Sequence, residues 1–231
     1  MEKLDVVYIC KSARRNEELR YSLRTVAENF PHARVWIYGG KPKDIRPDVY
    51  MEMAQDGKNK WARVRSSLRA ICQNPDISER FWLFNDDFFI LEKCEALPAW
   101  TNGTLQELIA EKEGRLGGRS AYTLQLQETV RQLARKRLPA KNYAVHVPME
   151  IDRKKALETL AAFPDGWMFR SLYGNHHGIE AQDLADVKIA TIYEPIEKGT
   201  LICSTSDEAF DRGLAGAQIR KRFDRKCRWE K

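Results

Sequence analysis

The first 91 residues alternate between short apolar runs and longer amphipathic segments, and this alternation restricts the fold more than any other feature of the sequence. The apolar runs at residues 4–10, 34–38 and 80–84 contain the β-branched and aromatic residues that favour buried strands. The segments between them, residues 16–30 and 59–73, carry apolar residues at helical spacing. Strands that alternate with helices are joined by helical crossovers, so the sequence predicts an α/β fold with a mixed sheet flanked by helices.

The remaining segments add further elements to one domain that spans residues 1–231. The pattern predicts an apolar continuation at 88–91, helices at 103–138 and 152–162, strands at 143–147 and 187–193, and a helical tail from residue 207. Because residues 103–141 have a helical pattern and become basic toward their end, we expect them to form a helical basic insertion.

The charge of the chain indicates an anionic partner. The formal net charge is +6, which favours phosphates, nucleotides, nucleic acid or acidic glycans. Basic residues are concentrated in residues 115–141 of the insertion, where Glu128 is the single acid, at Arg115, Arg119, Arg131, Arg135, Lys136, Arg137 and Lys141. A second basic cluster occupies residues 220–228. Two hypotheses follow, an enzyme that acts on a phosphate-bearing substrate and a non-catalytic nucleic-acid-binding protein.

The cysteine content and the N-terminal residues predict a cytoplasmic location. Five cysteines are present and no two of them form a CxxC pair, so neither a disulfide framework nor a zinc knuckle is expected. The first residues run directly into a strand, and no apolar run is long enough to cross a membrane. We therefore expect a cytoplasmic protein without membrane insertion.

The segment Asn85-Asp86-Asp87 is the strongest candidate for chemistry. It follows the strand at residues 80–84, and ligands of open α/β sheets bind beyond the carboxyl ends of the strands. Adjacent carboxylates provide the oxygen ligands that Mg²⁺ or Mn²⁺ prefers. The sequence thus predicts a metal site at Asp86 and Asp87, with Asn85 in contact with substrate. The alternative is that one carboxylate caps a turn and the other is solvated.

Two further residues are candidates for catalysis. His146 lies at the end of a predicted strand, where it can remove a proton from an acceptor hydroxyl; the alternative is a core histidine. Arg170 can make bidentate contact with phosphate oxygens, or it forms a structural salt bridge.

Five other polar residues are candidates for substrate binding. Lys11 and Arg14 follow the first strand, and Arg20 lies in the next helix, where basic side chains can meet phosphate or form a solvated face. Asn59 and Lys60 begin a helix near the expected donor site. Residues 173–178 are rich in turn formers and predict a loop, in which Asn175 is a further candidate for substrate binding. No phosphate loop of the Walker type, GxGxxG or GxSxG pattern is present, which argues against the enzyme classes that carry them.

Several of these segments together resemble the Stealth family of sugar-phosphate transferases, which are linked to bacterial capsule synthesis and include the lysosomal-enzyme GlcNAc-phosphotransferase. Residues 16–24 (NEELRYSLR) are similar to the family's NELRYSLRS block, and residues 78–89 are similar to its SERF…NDDVFF block. His146-Val147-Pro148 resembles its H-x-P element, Phe169-Arg170-Ser171 resembles its arginine segment, and residues 223–230 faintly resemble its closing element.

The resemblance implies a GT-A-like fold, a divalent metal, a uridine diphosphate sugar as donor, and roles for Asp87, His146 and Arg170. The chain is short for the family, and Ile9-Cys10-Lys11-Ser12 stands where the family has Thr-Trp-Val-Asp. Transfer of a plain sugar or of a sugar-1-phosphate therefore both stay open. The acceptor is expected to be a glycan or another polyanion, and a phage or bacterial enzyme that decorates a modified DNA base is a further alternative.

Overall fold

The computed structural model describes residues 3–11, 15–40, 42–53, 60–116 and 120–231. In chain order its elements are β1 (Asp5–Cys10), α1 (Glu17–Asn29), β2 (Val35–Gly39), β3 (Val49–Glu52), α2 (Lys60–Gln73), β4 (Arg80–Phe84), β5 (Phe88–Ile90), β6 (Trp100–Thr101), α3 (Leu105–Leu116), α4 (Ala121–Arg135), β7 (Met149–Asp152), α5 (Arg153–Ala162), α6 (Phe169–His176), β8 (Gln182–Asp183), β9 (Lys188–Ile189), β10 (Ile202–Thr205), α7 (Asp207–Arg212) and α8 (Leu214–Arg222).

The central sheet has the strand order β3-β2-β1-β4-β7. Strands β1 to β4 are parallel, and β7 pairs with β4 in the antiparallel direction. Val6 and Tyr8 of β1 pack on one face of the sheet, against α1, whereas Val7 packs on the other face, against α2 and α5. Both faces are therefore buried beneath helices, as in parallel sheets generally. The predicted mixed α/β sheet flanked by helices is confirmed.

Helix α1 forms because its sequence provides a capping residue at its start and apolar residues along its buried face. The side chain of Asn16 accepts a hydrogen bond of 2.9 Å from the backbone N–H of Leu19, which caps the first turn. Leu19, Leu23 and Val26 are completely buried against the central sheet. This cap fixes the position of the first helical turn, which contains Glu18, at the carboxyl end of β1.

The helical insertion is also confirmed. Helices α3 and α4 pack against each other, and the hydroxyl of Ser120 caps α4 by accepting from the N–H of Thr123 at 3.0 Å. Leu126 and Leu133 bury their side chains together with Leu172 of α6. The basic side chains of α4 are thus carried on a hairpin that is anchored to the core of the domain.

The strand predicted at residues 143–147 is wrong. The backbone N–H of Ala144 donates to the side chain of Asn142 at 3.0 Å, and that of Val147 donates to the carbonyl of Val145 at 2.8 Å. These local bonds bend the chain and use donors that a strand would give to its neighbour. The strand that pairs with β4 is β7, which begins after Pro148.

The loop predicted at residues 173–178 is also wrong, because α6 continues to His176. Gly174 suggested a turn, but it lies inside the helix. A Cβ atom at this position would be 2.6 Å from the ring of Tyr143, so close packing accounts for the glycine. The strand predicted at 187–193 is shorter than expected, since β9 contains only Lys188 and Ile189.

No helix in the described part of the chain is both long enough and apolar enough to span a membrane.

A buried ion pair joins the C-terminal segment to α1. The guanidinium of Arg24 contacts both carboxylate oxygens of Glu230, at 2.6 and 2.8 Å, and it donates to the carbonyl of Phe223 at 2.7 Å. The side chains of Arg24 and Glu230 are only 8% and 3% exposed. Although burial opposes ionisation, the Arg24 hydrogen bond keeps the pKa of Glu230 below its usual range.

Replacing Glu230 by Gln should lower the free energy of unfolding by about 3–5 kcal/mol, because Arg24 would be left as a buried cation without its counter-ion. Urea unfolding at pH 7 measures this loss. Since the folded state lowers the pKa of Glu230, wild-type stability should fall as the pH drops below the ordinary Glu value of ~4.3, and the variant should lack this part of the pH dependence. Glu208→Gln removes an exposed ion pair with Arg212 and should cost less than about 1 kcal/mol. Equal losses in the two variants would contradict the role given to Glu230.

Candidate functional site

A cleft lies where the strand order of the central sheet reverses. The chain runs from β1 to β2 and β3 in one direction and then returns to β4 on the other side of β1. Ligands of open α/β sheets bind at this kind of reversal, beyond the carboxyl ends of the strands. The cleft has a volume of about 520 Å³ and is lined by Lys11, after β1, and by Asn85, after β4.

The cleft has a charged end and an apolar wall. Its charged and polar lining includes Lys11, Glu18, Asn85, Asp86, Asp87, Arg170 and Asp207. Its apolar lining includes Trp61, Val64, Leu68, Trp167, Met168 and Phe169. An apolar cavity with a few convergent polar groups is the usual form of a small-molecule site.

Asp86 and Asp87 are both half-buried but have different partners. The amide nitrogen of Asn16 donates to Asp86 at 2.5 Å, whereas burial, with a smaller contribution from Asp87, raises the pKa of Asp86. The ammonium group of Lys188 lies 2.7 Å from Asp87 Oδ2, and the hydroxyl of Ser204 donates to the same oxygen at 2.8 Å. Lys188 thus neutralises one of the two carboxylates.

Glu18 adds a third carboxyl group at the same end of the cleft. Burial raises its pKa to about 8, and the negative charges of Asp86, Asp87 and Asp207 contribute in the same direction. A hydrogen bond of 3.2 Å from the hydroxyl of Thr205 only partly opposes this shift. The raised pKa therefore reflects first the burial of Glu18 and then its proximity to three other carboxylates.

Arg170 lies beneath the end of β4. Its guanidinium donates to the carbonyl of Val147, and at 3.4 Å to the carbonyl of Leu83 and the side chain of Asn85. Burial lowers the pKa of Arg170 to about 10, and the charge of Asp87 acts in the opposite direction. The guanidinium is therefore still a cation at neutral pH, and its position beside the carboxylates is fixed by backbone contacts.

His146 forms a pair with Asp186 and lies two residues from Ala144, which lines the cleft. Its Nδ1 atom lies 2.8 Å from the carboxylate of Asp186, and its side chain is 35% exposed. Burial opposes ionisation of Asp186, but the hydrogen bond and charge of His146 keep the pKa of that carboxyl below its usual range. Residue 144 lines the cleft and residue 147 contacts Arg170, so the chain holds His146 between them. Asp186 is two residues from Lys188, so one short segment carries the partners of both His146 and Asp87.

No family model and no curated protein matches the sequence. Among solved structures, the apo form of the glycosyltransferase GlyE from Streptococcus pneumoniae TIGR4 aligns with 96% of this chain and 60% of its own, with 9% identity and a TM-score of 0.43. A second GlyE structure aligns with 90% of this chain and 46% of its own, with 7% identity and a TM-score of 0.38. The chain spans less than two thirds of either structure. The function proposed below rests on the geometry of the cleft.

The structure brings most of the predicted site residues to one place. Lys11, Asn85, Asp86, Asp87 and Arg170 line the cleft, and His146 lies two residues from Ala144, which also lines it. These residues come from four separate segments of the sequence, which the sheet and α6 bring together.

Two other predicted site residues, Arg20 and Asn175, make structural contacts outside the cleft. Arg20 contacts Asp44 and lies 3.6 Å from Glu230, so it joins the contacts that hold the C-terminal segment. Asn175 is 2% exposed, and its amide bonds with the backbone N–H and carbonyl of Lys141, at 3.0 and 2.8 Å. This is a structural role that fixes the end of the insertion. Lys60 is the first residue of α2, and Arg14 and Asn59 lie outside the described residues.

Several site residues were not predicted from the sequence. An acid in the first turn of a helix is common, so Glu18 does not by itself predict a site, although it matches the glutamate of the ELRYSLR pattern. Asp186 and Lys188 lie in a segment without a motif. Their roles depend on side chains that are 40 and 101 residues away in the sequence, so local patterns carry no signal for them.

Proposed function

We propose that the protein is a metal-dependent transferase that moves a sugar, or a sugar-1-phosphate, from a nucleotide-sugar donor to an acceptor hydroxyl. The observation that carries this proposal is the convergence of Asp86, Asp87 and Arg170 at the switch-point cleft, with His146 two residues from Ala144, which also lines it. Three sequence blocks that resemble the Stealth family supply these four residues. Their meeting at one cleft favours a shared chemical role over four unrelated structural roles.

The acidic end of the cleft suits a divalent cation. The raised pKa values of Asp86 and Glu18 indicate carboxyl groups that a nearby cation would stabilise in their ionised form. In the part of the chain that the structure describes, no group of three or more His, Cys, Asp or Glu side chains is arranged to hold a metal. Asp86 and Asp87 would therefore hold Mg²⁺ or Mn²⁺ together with oxygens of the donor, as is common when magnesium is bound beside phosphates. When bound, the cation would neutralise the charge of the departing nucleotide.

The remaining roles follow from the positions of the charges. Arg170 places a fixed positive charge next to the carboxylates, where the donor's phosphates would lie. His146 takes the proton from the acceptor hydroxyl while the acceptor oxygen forms its bond to the transferred group and the nucleotide departs. Asp186 occupies Nδ1 of the imidazole, which directs Nε2 to the acceptor.

The acceptor side of the cleft adjoins the basic insertion. Charges on Lys112 of α3 and on Asp186 interact, and Tyr122 of α4 lies close enough to Asp186 for the carboxylate to affect its pKa. The insertion therefore stands next to the His146–Asp186 pair. Its basic side chains suit a polyanionic acceptor, such as an acidic glycan or DNA.

Donor binding should need a divalent cation, because the diphosphate would otherwise face the carboxylates of Asp86 and Asp87. A thermal-shift screen of nucleotide-sugars with and without Mn²⁺ identifies the donor, since a ligand that binds the folded state raises the melting temperature. Calorimetry with that donor should then show binding at least about 10-fold weaker in excess EDTA, the loss of about 1.4 kcal/mol of attraction. Equal affinity with and without the chelator would exclude the proposed metal site.

A further inference from the structure

The apolar wall of the cleft is built from two segments that are locked together. Trp61, Val64 and Leu68 lie on one face of α2, and Trp167 and Phe169 lie at the start of α6. Arg65 of α2 donates to the carbonyl of Gly166 at 3.0 Å and to that of Leu160. Burial lowers the pKa of Arg65, a half-buried side chain that joins α2 to the segment before α6. The wall is therefore a fixed surface that is formed before any ligand arrives.

The apolar wall extends from the hydrophobic core to the exposed surface of the cleft. Leu68 is completely buried, whereas Val64, one turn earlier on the same face, is 40% exposed. Trp61 and Trp167 are half-buried. Folding leaves part of the apolar surface of these side chains, which include two indoles, in contact with water. A ligand that covered this surface would gain binding free energy. These side chains suit a ligand with a flat apolar face.

The chemistry of the wall distinguishes between the parts of a nucleotide-sugar. A sugar ring carries several hydroxyl groups, and the side chains of Val64, Leu68 and Phe169 offer them no hydrogen-bond partner, although Arg63 and Ser67 of α2 also line the cleft. A nucleobase has an uncharged aromatic face that stacks on indole and needs no such partners there. The diphosphate belongs at the charged end with Asp86 and Asp87, and the transferred sugar must reach the acceptor near His146. The base is the part of the donor that matches the apolar wall.

We infer that Trp61 and Trp167 form the nucleobase subsite of the cleft and that they hold the donor by stacking on its base. The inference rests on the proposed function, because it assumes that the donor is a nucleotide. It assigns affinity for the base to the α2–α6 wall and affinity for the phosphates to the charged end. The two contributions can then be removed separately.

The test compares a nucleoside diphosphate with inorganic pyrophosphate, which lacks the base. Calorimetry in Mn²⁺ first identifies which of the uridine, cytidine, guanosine, adenosine and thymidine diphosphates binds wild type most tightly. Trp61→Leu and Trp167→Leu should each weaken that nucleotide by about 5- to 150-fold, which corresponds to 1–3 kcal/mol for a stacked base. Pyrophosphate affinity should stay within about 2-fold of wild type, since each variant keeps the charged end.

Two further variants separate stacking from general damage. Trp61→Phe keeps an aromatic face and should lose less affinity than Trp61→Leu, and it also serves as the test if the Leu variant does not fold. Tyr193→Leu changes an aromatic residue that is 80% exposed and does not line the cleft, so it should leave both affinities unchanged. Nucleotide affinity that is unchanged in both Leu variants, or equal losses for nucleotide and pyrophosphate, would overturn the subsite while leaving the transferase proposal in place. If wild type bound none of the five nucleotides, the proposed function itself would fall, and the subsite with it.

Discussion

His146→Ala is expected to reduce turnover by about 10²–10⁴-fold, the usual contribution of a positioned general base. Donor affinity should change little, because the imidazole acts on the acceptor and His146 is not among the residues that line the cleft. Turnover, donor calorimetry and melting temperature on a single preparation separate a loss of chemistry from a loss of donor binding or folding.

The structural alternative for His146 makes a different prediction. A histidine needed for packing would lower the melting temperature and donor affinity together when it is removed. Its side chain is 35% exposed, and the Asp186 contact is at the surface, so we expect only a small loss of stability. Hydrolysis of the donor by water should partly survive, since water can find another proton route. A stable His146→Ala protein with wild-type turnover would eliminate the base.

Asp186→Asn provides a matched control for the orientation of the ring. The amide keeps the shape of the side chain but removes the negative charge that faces Nδ1. We expect a smaller loss of kcat than in His146→Ala and an unchanged donor KM, because the imidazole itself remains. If the two variants lost equal activity and stability, the pair would be structural.

The parts of the fold that could be predicted from the sequence are those with a clear local pattern of apolar residues. The buried face of α1 and the continuous apolar run of β1 identify these elements without knowledge of the rest of the chain. The position of β7 could not be predicted, because a local hydrogen bond from the N–H of Ala144 to the side chain of Asn142 bends the apolar segment before it. Gly174 was misinterpreted because its requirement for close packing with Tyr143 arises only in the folded state.

In the candidate site, too, some residues could be predicted from the sequence and others could not. Asp86 and Asp87 were predicted because two charges between apolar segments are unusual and because a strand end is the expected place for a ligand. Glu18, Asp186 and Lys188 act through partners distant in sequence, and their environment decides their chemistry. Glu18 illustrates the point, since a glutamate in the first turn of a helix is ordinary, whereas a pKa raised to about 8 requires burial beside other carboxylates.

Asp87→Asn is expected to reduce turnover by about 10²–10³-fold, the effect of removing one preorganised electrostatic contact at a reacting centre. The amide has nearly the same shape as the carboxylate but binds a divalent cation much more weakly, because its oxygen carries no full charge. The Mn²⁺-dependent part of donor affinity should therefore shrink in the variant. Turnover across a range of Mn²⁺ concentrations and donor calorimetry with and without EDTA measure the two effects.

The fold should tolerate this change. Ser204 can still donate to the amide oxygen, and Lys188 is 27% exposed, so water can replace part of its lost ion pair. We expect a melting temperature within a few degrees of wild type, since a partly exposed ion pair contributes about 1 kcal/mol or less. Asp224→Asn, at an exposed position outside the cleft, controls for the general effect of losing one negative charge and should keep full activity.

Lys188→Met distinguishes the role of the Asp87 carboxylate from the role of its ion pair with Lys188. This variant breaks the same 2.7 Å contact but leaves the negative charge of Asp87 in place. If Asp87 acts by holding a cation, Lys188→Met should keep most of the turnover and reach half-saturation at a lower Mn²⁺ concentration, because a competing positive charge has been removed. If Asp87 matters only through the ion pair, the two variants should lose the same activity and the same stability. Full turnover of Asp87→Asn, or of the wild type in excess EDTA, would remove the metal from the proposed reaction altogether.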